Sequence, residues 1–590
     1  MFPYNLVIRG GTIVDGSGAP RFRADIGIRD GLIARIGEGL EPGEQEIDAT
    51  GHLVTPGFID IHTHMDGQVT WGFETRPVSD HGVTTLVMGN CGVGFAPCRE
   101  NERHLLLDLM EGVEDIPEPV MAAGIPWAWE SYPEYLDFLA ARSYDVDICS
   151  MLPHAAVRIF VMGARGSQRE PAKLADTRAM AEIVKQGVEA GAFGISTTRS
   201  LNNRSKDGTL APTITAREDE LMAMACAMGE VDRGIIEIND QWLDMDEDGQ
   251  SAEFEMIKRV ARASGRPFTF AVLQQDEGHG GSWEQIMALA DAANAKGIGM
   301  RAQICTRPIG IFAGLDVSLN PFMFCATWTK ELEHLPLADR VTKMRDPEMR
   351  ARLLAETPQA TNPLNLWLSR TVERMVEFGD PPNYAPRPED FLPARAAREG
   401  KTALELAYDI MLEDEGQRLL YHPVVNYAKN NMDHIPKMIR NPHSLIGLGD
   451  GGAHVAIICD ASLPTHLLTY WARDRVEDDR LSVEEAVRIL THDNASFIGL
   501  ADRGLIREGL RADINVIDHD GMHLHAPTVA YDLPANSRRL LQKADGYVAT
   551  IKSGVVTISE GERTGARPGR LLRSGEYASR EYARSPEYEV

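Results

Sequence analysis

The chain is poor in cysteine. It has seven in 590 residues, an odd number, and no two form a CxxC pair. That excludes a disulfide framework and fits a reducing compartment. No apolar run reaches the length of about 18 residues that marks a membrane-spanning helix, so none is expected. The opening "MFPYNLVIRGG" has no basic stretch followed by an apolar one. No secretory leader is therefore read, and a cytoplasmic location is expected. Basic residues are in deficit, 60 against 87 acidic, for a net charge of -27. Such a surface repels phosphate backbones and anionic membranes, which leaves a small molecule as the expected partner. No internal repeat is found.

What is present is a change of texture along the chain. Residues 4–54 read as short strands with tight turns, "YNLVIRGGTIVDG" and "DIGIRDGLIARIG". The far end repeats that texture in "GLRADINVID" and "GYVATIKSGVVTISEG". A small β-sandwich built from both termini, 1–56 with 495–565, is expected. Between them, strand-like and helical runs alternate. Eight such strands predict an α/β fold of the (β/α)8 barrel type over 57–494. The connection between the seventh and eighth strands, 309–443, is far too long for a simple crossover. It reads as a helical insertion serving as lid or oligomer contact. Residues 566–590 read as a tail or an arm toward another subunit, so a homo-oligomer is expected.

The strand ends carry the chemistry. In "FIDIHTHMD" the period of two turns His62 and His64 to one side and Thr63 to the other. A cation between the imidazoles is the simplest reason to aim both at one spot. "MGNCG" ends the second strand with Cys91, and "GLGDGGAH" ends the eighth with Asp450 and His454. Two imidazoles, a carboxylate and a thiolate suit a divalent metal, zinc first among them. Such a metal lowers the pKa of a water and polarises a carbonyl, while Asp450 shuttles the proton. His154 and Arg158, after the third strand, and His454 are read as substrate contacts.

"LVTPGFIDIHTHMD", the aspartate after the eighth strand and "AVRILTHDNASFIGLADRGLIREGLRADINVID" together resemble the amidohydrolase superfamily. "GNCGVGFAP" is similar to its D-aminoacylase (N-acyl-D-amino-acid deacylase) branch. The resemblance implies a metal-bearing barrel holding one or two ions. It implies His62, His64, Cys91 and Asp450 as ligands, with Asp450 also the general acid/base. Two departures stand out. The family places a histidine after the fifth strand and another after the sixth, where this chain has "EIND" and "VLQQ". Glu237, Asn239, Asp240 and Gln274 are the candidates to replace them. The branch also carries an arginine for the substrate carboxylate soon after the aspartate. Here "HVAIICDASLPTHLL" has none, leaving Arg158, Arg301 and Arg307. The expected activity is hydrolysis of a C–N amide bond in an N-acyl amine or N-acyl amino acid. The alternative is a non-amide substrate, such as a lactone, an ester or a C–C bond, with one metal as Lewis acid.

Overall fold

The computed structural model describes residues 2–242, 245–275, 282–359, 367, 371–476 and 479–576. Eight parallel strands form its centre: β1 (Phe58–Asp60), β2 (Val83–Met88), β3 (Asp147–Ser150, resuming as Leu152–Pro153) and β4 (Gly194–Thr198). They continue as β5 (Ile235–Asn239), β6 (Phe268–Ala271), β7 (Met300–Ile304) and β8 (Ser444–Ile446). Strands such as "VTTLVM" are buried along their whole length, as parallel strands covered on both faces must be. β1, β2 and β3 make one sheet, and the second half of β3 through β8 makes another, in chain order.

Hydrogen bonds stitch both gaps between the two sheets. At one, Met151 N donates to Met88 O and Phe193 N to Ser150 O, each at 2.9 Å. At the other, Thr63 and Gly451 form a parallel bridge. There Asn494 Nδ2 also donates to the carbonyls of Ile59 and Ile446, at 2.8 and 2.9 Å.

A nine-stranded sheet gathers strands from both ends of the chain. Leu53–Pro56 pairs antiparallel with Ile514–Ile517 at its middle. Ile26, Ile28, Val54, Ile514, Val516 and Ile551 fill its apolar core. A buried ion cluster welds this sheet to β3. Asp147 Oδ2 accepts from Arg503 Nη1 at 2.6 Å and from Lys552 Nζ at 2.8 Å. Lys552 Nζ also lies 2.8 Å from Asp513 Oδ1.

The connection between β7 and β8 corrects the expectation of a helical insertion. It holds the helices Leu337–Met344, Pro347–Ala355, Leu392–Glu399 and Ala403–Met411. It also holds an antiparallel sheet of Ile309–Ala313, Leu419–Val425 and Val376–Phe378, in that order. Buried Leu319, Phe322, Trp328, Leu353 and Tyr408 give it a core of its own. It packs over the strand ends. Phe312 N donates to Ile457 O at 2.8 Å, and Asn426 Oδ1 accepts from Gln274 N at 2.7 Å.

Of the stretch read as a tail or inter-subunit arm, the described part docks on its own chain. Gly569 bridges Tyr144, and Leu571 bridges Ile148 on β3. Residues 577–590 lie outside the described residues. All seven cysteines are free. Among the described residues, no helix is long and apolar enough to cross a membrane.

Candidate metal centre

The alternation expected after β1 is realised. Asp60 Oδ1 accepts His62 N at 3.0 Å, and Thr63 Oγ1 turns away to donate to Val87 O at 2.8 Å. His62 and His64 are buried, with ring centroids 5.5 Å apart. The turn after β8 is laid on this segment by two backbone bonds. Asp450 N donates to His62 O at 3.2 Å, and His64 N to Gly451 O at 2.9 Å. Gly452 is required there: its φ is +99°, and a Cβ would come within 2.6 Å of His64 O. Cys91, Asp450 and His454 all adopt positive φ, at 54°, 45° and 48°. Non-glycine residues bear that strain where surrounding structure over-determines them, typically at functional sites.

Four side chains converge. His62 Nε2 lies 3.4 Å from Asp450 Oδ1 and 3.4 Å from Cys91 Sγ. His64 Nε2 lies 3.7 Å from Asp450 Oδ1. The donor atoms of His62, His64 and Cys91 all fall within 4.8 Å of one another. A tetrahedron with metal–ligand arms of about 2.0–2.3 Å has edges of about 3.3–3.8 Å. Three of the separations, His62 to Asp450, His62 to Cys91 and His64 to Asp450, are of that size, and the nitrogen, sulfur and oxygen donors are those a divalent cation takes.

The surrounding groups hold the donors ready. Gln303 Oε1 sits 2.8 Å from His62 Nδ1. A carbonyl oxygen only accepts, so the proton sits on Nδ1 and Nε2 keeps its lone pair toward Asp450 and Cys91. Cys91 N donates to Glu237 Oε2 at 2.9 Å, and Asn239 Nδ2 reaches Cys91 Sγ at 3.6 Å. Glu114 lies between two imidazoles. Its Oε1 is 3.4 Å from His64 Nδ1, and its Oε2 is 3.7 Å from His454 Nε2.

Burial dominates the electrostatics of these groups. Burial drives His62 down to about 4 and His454 to about 4. Burial also pulls on His64, but the carboxylates of Glu114 and Asp450 outweigh it and carry His64 up to about 9. Burial raises Glu114 to about 7 and Glu237 to about 8. Burial and three neighbouring carboxylates push the Cys91 thiol well above its ordinary value. Asp450 goes the other way: burial opposes its charge, yet His64 and His62 hold it down to about 2. A bound cation would reverse the direction for Cys91.

The remaining expected residues fare differently. His154 and Arg158 are fully buried and spent on Glu220 rather than facing a substrate. His154 Nε2 is 2.9 Å from Glu220 Oε1, its Nδ1 is 2.8 Å from Thr197 Oγ1, and Arg158 clasps both Glu220 oxygens. The helix Glu218–Val231 brings Glu220 there, a placement no local spacing announces. Of the four candidates to replace the histidines, Glu237 and Asn239 meet Cys91. Asp240 instead neighbours Glu253, and Gln274 binds Asn426 and Ala428. His279, just beyond the sixth strand, lies outside the described residues. Arg301 is held by Asn294, and Arg307 Nη2 donates to Cys459 O and Asp460 Oδ1. Sequence reasoning missed Glu114 and Gln303. Glu114 ends the helix Arg103–Glu114 between β2 and β3, and Gln303 sits inside β7, so neither lies where strand-end reading looks.

Residues 45–558 match the model of the family described as the amidohydrolase family. The chain belongs to the amidohydrolase family. Within it, this amidohydrolase falls in the D-aminoacylase branch. The N-acyl-D-aspartate deacylase of Alcaligenes xylosoxydans xylosoxydans is 25% identical over 580 residues, covering 97% of this chain and 95% of that protein. A D-aminoacylase crystal structure superposes with a TM-score of 0.64 at 21% identity, over 97% of this chain and 100% of that one. The N-acyl-D-glutamate deacylase of Bordetella bronchiseptica, solved with zinc and a phosphonate mimic of the tetrahedral intermediate, superposes with a TM-score of 0.60. It is 23% identical, over 97% of this chain and 100% of that one. These likenesses show the amidohydrolase fold, a parallel-stranded α/β core with an additional domain. This amidohydrolase is therefore a hydrolase of carbon–nitrogen bonds other than peptide bonds.

Proposed function

We propose that this chain is a metal-dependent deacylase that hydrolyses the amide bond of an N-acyl amine or N-acyl amino acid. His62, His64, Cys91 and Asp450 hold one divalent cation, and their mixed nitrogen, sulfur and oxygen donors favour zinc. The carrying observation is the convergence of His62, His64 and Cys91 donors within 4.8 Å of one another, with Asp450 Oδ1 3.4 and 3.7 Å from the two imidazoles. We place the site at the mouth of a closed (β/α)8 barrel over 57–494, with a β-sandwich of 1–56 and 495–565 beside it. The seam bonds between the two parallel sheets support closure. The covering 309–443 segment serves as lid. The deacylase activities of the relatives support the substrate class.

When bound, the metal supplies an acidified water and polarises the scissile carbonyl. The chain's own residues do the rest. Gln303 fixes the His62 tautomer, and the Glu114 carboxylate stands 3.4 Å from His64 Nδ1. The Asp450 carboxylate, held ionised by His64 and His62, is the group assigned to take the proton of the attacking water and return it to the leaving nitrogen. His454, whose side chain keeps 28% exposure beside Glu114, is placed to donate to the substrate.

The test is D450N assayed on a panel of N-acyl amino acids, N-acyl amines, lactones and esters. The proposal expects turnover of acyl amines by the wild type. In D450N assayed at saturating zinc, kcat falls by about 10²- to 10⁴-fold, and zinc affinity falls with the loss of a ligand carboxylate. Activity on esters or lactones alone would favour the non-amide reading, and an active D450N would refute the mechanism.

A further inference from the structure

A second cluster of metal-ligating side chains lies far along the chain from the first. His523 and His525 flank buried Leu524 around the strand His523–Leu524, so both imidazoles project from one face. Their ring centroids are 4.5 Å apart. Asp380, from the segment between β7 and β8, reaches across to both. Its Oδ1 is 3.1 Å from His523 Nε2, and its Oδ2 is 3.3 Å from His525 Nδ1. The three residues offer donor atoms within 4.8 Å of one another. Asp545, paired with His523 across the two-stranded ladder, completes the arrangement from behind: its Oδ2 is 2.7 Å from His525 Nε2. That bond holds a proton on Nε2 and leaves the Nδ1 lone pair facing Asp380, the tautomer of a metal-ligating histidine with a carboxylate behind it.

We propose that His523, His525 and Asp380 form a second, solvent-accessible site for a divalent transition metal of the zinc type. Asp545 is its positioning residue. The donors are two nitrogens and a carboxylate, which select zinc over magnesium. All three side chains are part exposed, so an ion can enter from solvent and complete its shell with water. The metal clamps the covering segment onto the C-terminal part of the chain. Four residues past Asp380, Tyr384 OH donates to Gln542 Oε1 at 3.1 Å, and Gln542 Nε2 donates to His525 O at 2.7 Å. The Tyr384 ring carries the Arg307 guanidinium at 3.7 Å, and Arg307 Nη2 donates to Asp460 Oδ1 at 2.9 Å. A clamp at Asp380 thus steadies a chain of contacts ending ten residues beyond Asp450. In the competing arrangement a protonated His525 bridges Asp380 and Asp545 with no metal.

The experiment is zinc titration of the metal-depleted full chain against a chromophoric chelator, for wild type, H523A/H525A, D380N and D545N. Circular dichroism serves as the check that each variant is folded. The proposal expects H523A/H525A to take up one equivalent fewer than wild type, and D380N to weaken the same equivalent. D545N should bind it about 10- to 100-fold more weakly, while excess magnesium displaces nothing. With zinc, proteolysis of the segment around Asp380 should slow in wild type and stay unchanged in H523A/H525A. Equal zinc uptake and affinity in wild type and H523A/H525A overturns the proposal in favour of the protonated bridge. The readout counts zinc rather than turnover, so it stands apart from the deacylase assay.

Discussion

His62 shows how much one residue's surroundings decide. Its Nε2 faces Asp450 and Cys91 only because its Nδ1 is tied to Gln303. Replacing Gln303 with leucine keeps the volume and removes the acceptor. Zinc affinity should fall about 10- to 100-fold in a chelator competition, and an unchanged affinity would show that the tautomer is set elsewhere. His64 adds a pH dependence. Glu114 and Asp450 hold its proton up to about 9, and that proton competes with the metal. The apparent zinc affinity should therefore rise steadily from about pH 6 to about pH 9, and a flat profile would contradict the assignment of His64 as a ligand. At this scale the sequence was informative where periodicity acts. His62 and His64 lie two apart on a strand, and Cys91 and Asp450 close strands. Glu114 was invisible because it terminates an inserted helix, and nothing in "MEGVEDIPEP" announces a buried carboxylate. Arg158 misled for the matching reason: a strand-end arginine looks like an anion receptor until a helix far along the chain supplies Glu220.

The turn after β8 is the element that brings Asp450 to the imidazoles. It is made of glycines because its backbone touches the β1 backbone. Adding a methyl at Gly452 forces a strained φ and a clash with His64 O. G452A should lose about 1–3 kcal/mol of stability and lower zinc affinity with it. Denaturant unfolding and chelator competition measure the two, and a variant stable yet fully metal-competent would show that the turn can relax. The parallel strands were legible because each is a short apolar run closed by polar residues, as in "GIIEIND". The covering segment was not. Its sheet pairs Ile309–Ala313 with Leu419–Val425, more than a hundred residues apart, and no local pattern records a pairing at that range. Its helices carry local signals, such as the Thr402–Glu405 capping box, so they alone were read.

At the scale of the molecule, the sheet built from both ends is held to the core through Asp147. Burial works against its charge, but Lys552 and Arg503 outweigh that and hold its carboxyl down to about 2. A depressed carboxylate stabilises the fold above its unfolded value of 3.8, and that contribution disappears as pH falls toward about 2. Removing it takes one carboxylate from each of two buried cations, leaving Asp513 to Lys552 and Asp502 and Asp513 to Arg503. D147A should cost about 1–3 kcal/mol by denaturant unfolding at neutral pH, with the gap to wild type closing in acid. A loss under about 1 kcal/mol would show that the cluster does not weld the two parts. The common texture of the two ends made their joint sheet legible, but the ion cluster needed Asp147, Arg503 and Lys552 placed in space. The proposed chemistry requires a cation between the His62–His64 segment after β1 and the turn after β8. Anomalous diffraction at the zinc edge, from crystals of the active enzyme, tests this most directly. It should show a peak about 2.0–2.3 Å from His62 Nε2, His64 Nε2, Cys91 Sγ and an Asp450 oxygen. Active crystals with no anomalous peak among those four atoms would contradict it.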